Sequence, residues 1–259
     1  MPQLIINPYL DNLDECLAFA EENDCLFEIT GLCYPSVIDD AAKVREHIRI
    51  FSTFKDKIYS MHGAWIGLQI ATRDMAVRQV SRNRIIQNCE NAAELGIGRI
   101  IIHGDKPPGI NTQSGTDYWV NTAHEFYTEI IAKFGINIII ENCWDYEPYA
   151  IKQLIDKMNT PKFKACLDTG HVNCFAKSPL DDWIDILGED ITHIHLCDNL
   201  GTYDDDLPAG QGTFDFDILT KRLEQDKIEP AVVFELPSLE RVKASVEYLK
   251  ANGLFPYNK

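Results

Sequence analysis

The sequence predicts a single-domain (β/α)8 TIM barrel over residues 1–259, and three observations carry that expectation. Eight short apolar, β-branched runs recur, each followed by a stretch with helical periodicity. No Pro/Gly/Ser linker, composition shift or low-complexity tract divides the chain. Six consecutive runs, the third to the eighth, finish on a metal-capable or acid/base side chain.

Taken in order, Leu4 to Asn7 reads as the first strand and Asp11 to Glu22 as its helix. Leu26 to Thr30 precedes a helix over Asp39 to Phe51, and Ile58 to His62 one over Asp74 to Leu95 that stops at Gly96. Arg99 to His103 is followed by Asp117 to Phe134, and Asn137 to Glu141 by Pro148 to Met158. Phe163 to Asp168, Ile191 to His195 and Ala231 to Glu235 are the last three strands. Their helices run over Leu180 to Leu187, Asp215 to Gln225 and Leu239 to Ala251. Several of these helices open on an Asp able to accept from free backbone N–H groups. The longest irregular segments, Gly104 to Gly115 and Leu196 to Gly212, follow strand ends, where loops of this architecture build sites.

Forty acidic against 24 basic residues give a formal charge of −16, a field that repels polyanions and anionic membrane. Hydrophobic residues make up 45% of the chain, enough for a large core, and disorder or a collagen-like repeat is excluded. The N-terminus lacks a basic region and a long apolar run, and no stretch approaches bilayer length, so a cytoplasmic protein is expected. Eight cysteines without a C-x-x-C pair are expected to be reduced.

The strand-end groups are His62, His103, Glu141, Asp168, His195 and Glu235. In a closed barrel they share one mouth; in an open sheet the outermost two would stand about 24 Å apart. A carboxylate directly after Ile-Ile-Ile (Glu141) or Val-Val-Phe (Glu235) is costly to desolvate unless a cation compensates it. Mixed imidazole and carboxylate donors suit Zn2+, Mn2+, Fe2+ or Co2+ better than a hard Mg2+ or Ca2+ cage. His171 in Leu-Asp-Thr-Gly-His is placed to turn back over the mouth, and Asp204 and Asp206 are further ligand candidates. Cys143 and Cys197, each two residues past a candidate ligand, are read as buried structural residues, with a role as soft ligands the alternative. His193 is expected to fill a barrel layer, with His47 and His124 on helix surfaces. Trp65 and Trp144, with Tyr9, Tyr34, Phe175 and Tyr203, are rim aromatics for a sugar or base face, or for packing between loops. Lys106 and the Gly210-Gln211-Gly212 backbone are a candidate phosphate holder.

At Ser60-Met-His-Gly63, Ile102-His-Gly104, Ile140-Glu-Asn142, Leu167-Asp-Thr-Gly-His171, His193-Ile-His-Leu-Cys-Asp-Asn199 and Phe234-Glu-Leu236, the chain resembles the xylose isomerase-like TIM barrel superfamily. That group includes sugar and sugar-phosphate isomerases and epimerases, and endonuclease IV-like enzymes of AP endonuclease family 2. The resemblance to the ketose 3-epimerase branch implies one divalent metal on Glu141, Asp168, His195 and Glu235, with Glu147 and His171 at substrate-contacting positions. That branch's Arg a few residues beyond the metal-binding His has no counterpart here. The resemblance to the endonuclease IV branch implies three zinc ions on all six strand-end positions, His171 and an Asp-x-His. Asp204-Asp205-Asp206 stands at that tripeptide, with Asp in place of His.

Three functions are therefore in view. The first is a metal-dependent sugar or sugar-phosphate isomerase or epimerase, using Mn2+, Zn2+ or Co2+ and passing through a metal-stabilised enediolate, with Glu141 and Glu235 as catalytic acid/base groups. Glu147, His171, Trp65, Trp144 and Lys106 would hold its substrate. The second is endonuclease IV-like phosphodiester hydrolysis, which the scarcity of cations on the catalytic face (Arg73, Lys106, Lys177) disfavours for DNA. The third is a non-catalytic metal- or sugar-binding barrel. A small-molecule partner is expected, with homo-oligomer formation open.

Overall fold

The computed structural model describes residues 2–107 and 111–258. Eight parallel strands close into one barrel in sequence order: β1 (Leu4–Ile6), β2 (Cys25–Ile29), β3 (Ile58–His62), β4 (Arg99–His103), β5 (Asn137–Glu141), β6 (Phe163–Asp168), β7 (Ile191–His195) and β8 (Ala231–Phe234). β1 pairs with both β2 and β8, which closes the ring. The fold is thus a single-domain (β/α)8 TIM barrel. β3 to β7 begin and end where the sequence pattern puts them. β1 stops at Ile6, β2 starts at Cys25, and β8 ends at Phe234, so that Glu235 is the first residue beyond its strand.

The helices are α1 (Leu13–Glu22), α2 (Pro35–Ile38), α3 (Ala41–Ser52), α4 (Met75–Leu95), α5 (Gln113–Phe134), α6 (Tyr149–Met158), α7 (Thr169–Phe175), α8 (Leu180–Leu187), α9 (Phe216–Asp226) and α10 (Leu239–Asn252). Asp74 and Asp215 cap α4 and α9, and Gly96 ends α4 at φ +74°, a conformation that favours glycine. Three helix starts differ from expectation. The expected helix from Asp11 begins as a 3-10 turn over Leu10–Asn12. The one from Asp39 begins at Ala41 as α3, because Asp40 rather than Asp39 accepts from Ala42 N–H and Lys43 N–H, and the short α2 ahead of it was not expected. α5 begins four residues ahead of Asp117, capped by the Thr112 hydroxyl. α7 was not expected as a helix at all.

Strand alternation sets the two faces of the barrel wall. Phe27, Ile29, Met61, Ile100, Ile102, Ile138, Ile140, Leu167, Ile194 and Phe234 point outward into the main core beneath the helices. The other parity faces inward, where Ile101, Ile139 and Cys166 form a separate buried layer, as do Ile5, Ala231 and Val233. Two residues further along β4, β5 and β6, the same parity places His103, Glu141 and Asp168 above that layer. His193 fills the interior against the Tyr59 ring, as expected. His47 and His124 lie on helices, both partly buried rather than fully exposed. All eight cysteines are free, and seven are buried. Among the described residues no helix is long and apolar enough to cross a membrane.

Candidate metal centre and active site

The inward parity of β3 to β8 gathers all six strand-end residues at the C-terminal mouth. Glu141 is the hub: its Oε2 lies 3.4 Å from His62 Nε2, 3.6 Å from His103 Nε2 and 3.4 Å from His195 Nδ1. Its Oε1 lies 3.2 Å from His171 Nδ1. Glu235 Oε2 approaches His195 Nδ1 to 2.6 Å, and Asp168 Oδ2 stands 3.9 Å from the same nitrogen.

The turn after β6 is a capped helix. The Asp168 carboxylate accepts from His171 N–H at 2.6 Å, so a residue that faces the cluster also starts α7. That turn brings the His171 ring over the mouth. Its Nδ1 is 2.7 Å from the Asn142 carbonyl and its Nε2 is 3.1 Å from Asp204 Oδ2 in the loop after β7. Asn142 in turn accepts from Asp168 N–H at 2.8 Å, which ties the ends of β5 and β6 together.

Donor atoms here fall into groups whose members all lie within 4.8 Å of one another: His62, His103 and Glu141; His62, His195 and Glu235; Glu141, Asp168, His195 and Glu235; and Cys197, Asp204 and Asp206. Such groups fit a divalent cation, and the hydrogen bonding is compatible with one. His62 Nδ1 is 2.8 Å from the Gly63 carbonyl, which leaves Nε2 with its lone pair toward Glu141 and Glu235. Both Glu141 oxygens and both His195 nitrogens are buried without a well-directed hydrogen-bond partner. Facing carboxylates and imidazole lone pairs repel unless a proton or a cation lies between them.

The titration directions follow from this crowding. Burial opposes charge on Glu141, but His195, His103 and His171 outweigh it and hold its carboxyl well below the usual range. Glu235 is likewise penalised by burial and pulled down to about 2 by His195. Burial drives Asp168 well above the usual carboxylate range, and it lowers His103 to about 4. On His62 burial works against protonation, and Cys33, Glu141 and Glu235 overcome it.

The substrate candidates separate into three places. Trp65 stacks on the His103 ring at 5.3 Å between centroids, and His171 is part of the cluster. Lys106, Trp144 and Glu147 line a cavity of about 710 Å3 between the loops after β4, β5 and β6. Trp144 also packs on Phe175, which packs on His171, while Tyr9 donates its hydroxyl to the Leu236 carbonyl. Tyr203 is 71% exposed.

The phosphate holder expected at Gly210-Gln211-Gly212 is not one. Gly210 N–H and Gly212 N–H both donate to Asp198 Oδ2, at 3.0 and 2.9 Å, so neither is free to face an anion. Asp198 also accepts from Asn199 N–H and Phe214 N–H. Cys197 stands buried, as the structural reading expects, and it also belongs to a donor group with Asp204 and Asp206, which is the alternative reading as a soft ligand. The sequence reading missed Glu28, which is fully buried in the middle of β2 with Oε1 3.1 Å from His195 Nε2. Its signal was present: a lone carboxylate inside Cys-Leu-Phe-Glu-Ile-Thr, flanked by two outward-facing apolar residues.

Comparison with known proteins places this architecture. The chain belongs to the xylose isomerase-like TIM barrel family, whose model matches residues 3–252. An uncharacterised protein of Methanocaldococcus jannaschii is 24% identical over 204 residues, covering 75% of this chain and 77% of its own. Among solved structures, a Thermus thermophilus protein soaked with zinc chloride superposes with a TM-score of 0.76 at 21% identity, over 97% of each chain. A D-tagatose 3-epimerase-like protein superposes with a TM-score of 0.75 at 20% identity, over 96% of each chain.

Proposed function

We propose that this protein is a divalent-metal-dependent isomerase or epimerase acting on a small sugar or sugar phosphate. The observation that carries the reading is the group formed by Glu141, Asp168, His195 and Glu235, in which the Glu235 side chain is 24% exposed and that of Glu141 not at all. These four residues would hold an ion such as Mn2+, Zn2+ or Co2+, which supplies Lewis acidity to adjacent substrate oxygens when bound. Glu235, open to the mouth and ionised, is the group that takes a proton from a substrate carbon and returns it to the same or the neighbouring carbon. Glu141, enclosed by the imidazoles of His62, His103, His171 and His195, is both ligand and second acid/base group. Trp65 offers an aromatic face to a sugar ring, and Lys106, Trp144 and Glu147 are placed for its distal end. The family, and the likeness to an epimerase-like protein, support this reading.

The test is proton exchange. The metal-loaded protein is incubated in D2O with a panel of aldoses, ketoses and their phosphates, and deuterium at carbon is read by NMR. Exchange at one carbon with appearance of the isomer or epimer is the expected result; a panel without exchange overturns the reading.

A second reading, phosphoester hydrolysis, is favoured by the group of His62, His103 and Glu141, which shares Glu141 with the first and gives room for more than one ion. The His171–Asp204 contact extends the donor inventory further. A small phosphoester suits the site better than duplex DNA. The chain carries a charge of −16, and Arg73 and Lys177 lie over the rings of Tyr118 and Tyr146.

A further inference from the structure

We infer that Glu28 is a positioning residue that fixes the tautomer and orientation of His195; the inference rests on the metal-binding reading above. His195 faces the cluster through Nδ1, the nitrogen nearest Glu235, Glu141 and Asp168. Its other nitrogen, Nε2, points down into the barrel. There Glu28 Oε1 stands 3.1 Å away, and the buried Cys166 thiol of β6 is also close to the ring. The Nε2–Oε1 approach is not in line, and neither of these two atoms has a well-directed hydrogen bond elsewhere. For a proton on Nε2 the Glu28 carboxylate is a stronger acceptor than a thiol sulfur, and with the proton held there the Nδ1 lone pair is free for a cation.

Glu28 is itself fixed. Its Oε2 accepts from the Ser60 hydroxyl at 2.7 Å, and Glu28 and Ser60 are register partners across β2 and β3. Glu28, Ser60 and His195 are all fully buried. The chain Ser60–Glu28–His195 thus runs beneath the mouth, out of reach of substrate, and Glu28 belongs to none of the donor groups among the described residues. A carboxylate buried this deep is costly unless a partner repays the desolvation, and His195 is the partner the geometry supplies. Without Glu28 the buried Nε2–H loses its stronger acceptor, and moving the proton to Nδ1 would turn a ligand atom into a donor aimed at Glu235.

The test measures zinc affinity by competition with a coloured chelator, in wild type, Glu28→Gln and Ser60→Ala, with circular dichroism as the check on folding. The expected result is that Glu28→Gln weakens zinc binding by about 10–100-fold and Ser60→Ala weakens it less. Unchanged affinity in a folded Glu28→Gln protein overturns the role of Glu28 and leaves the metal reading standing. A wild-type chain that takes up none of Zn2+, Mn2+ and Co2+ overturns both. Should the variant fail to fold, 15N NMR of histidine-labelled, zinc-loaded wild type decides. A His195 ring protonated on Nε2 and bound through Nδ1 is expected, and a ring protonated on Nδ1 overturns the inference.

Discussion

His195 and Glu235 approach to 2.6 Å across the ends of β7 and β8, the closest imidazole–carboxylate contact in the mouth. It draws the one partly open carboxylate of the four-residue group against a fully buried imidazole, so the acid/base group and a ligand are positioned together. Glu235→Gln keeps the shape and removes the charge. Turnover in the exchange assay is expected to fall by about 10²–10⁴-fold while circular dichroism stays that of wild type. A variant with wild-type rates contradicts the assignment of proton transfer to Glu235.

His103 belongs to the group with His62 and Glu141 but not to the group with Asp168 and Glu235. In the isomerase reading His103→Ala leaves the tightest-binding metal equivalent in place, and the cost falls on substrate affinity through the loss of the ring beneath Trp65. Titration of metal into the apo variant measures this. Loss of the tightest equivalent would move the working ion to His62, His103 and Glu141 and bring hydrolysis forward.

Asp198 holds the loop after β7 by accepting from four backbone N–H groups, those of Asn199, Gly210, Gly212 and Phe214. Gly212 could carry no side chain there, since a Cβ would fall 2.2 Å from the Asn199 carbonyl oxygen. Asp198→Ala orphans these donors together, and urea unfolding is expected to report a loss of about 3 kcal/mol or more. A loss below about 1 kcal/mol contradicts this account of the loop.

Asp190 accepts from Lys152 at 2.9 Å and Lys164 at 2.5 Å. Its burial opposes the charge, but the two ammonium groups outweigh it and lower its pKa. A depressed carboxylate stabilises the fold above the unfolded value of about 3.9 and loses that contribution as pH falls through the folded value. The thermal midpoint of wild type is therefore expected to exceed that of Asp190→Asn at pH 7, with the gap closing below about pH 4. A gap that persists in acid contradicts the ion-pair account.

Much of the site was legible because a strand of period 2 that ends on a polar residue announces both the face and the height of that residue. Hence His62, His103, Glu141, Asp168, His195 and Glu235 could be named from six apolar runs. Glu28 was not, because it stands mid-strand, where a lone carboxylate reads as a solvent-side position; only barrel closure turns that parity inward. α7 was hidden because it has only seven residues and its cap, Asp168, was already read as a strand-end ligand. The Gly210-Gln211-Gly212 turn looked like an anion cradle because glycine-rich backbone is one, and the long-range hydrogen bonds to Asp198 that occupy it leave no local signal. The start of α3 turned on which of two adjacent Asp residues caps, a choice made by backbone geometry.

The most direct test of the central claim is the metal content of the protein purified without chelator or affinity tag, followed by equilibrium dialysis of the apo protein against Mn2+, Co2+ and Zn2+. At least one divalent first-row ion per chain is predicted, with the tightest equivalent abolished in Glu141→Gln and Asp168→Asn. Two or more equivalents would engage His62 and His103 as well and favour the hydrolytic reading. A chain that takes up none of the three ions contradicts the account.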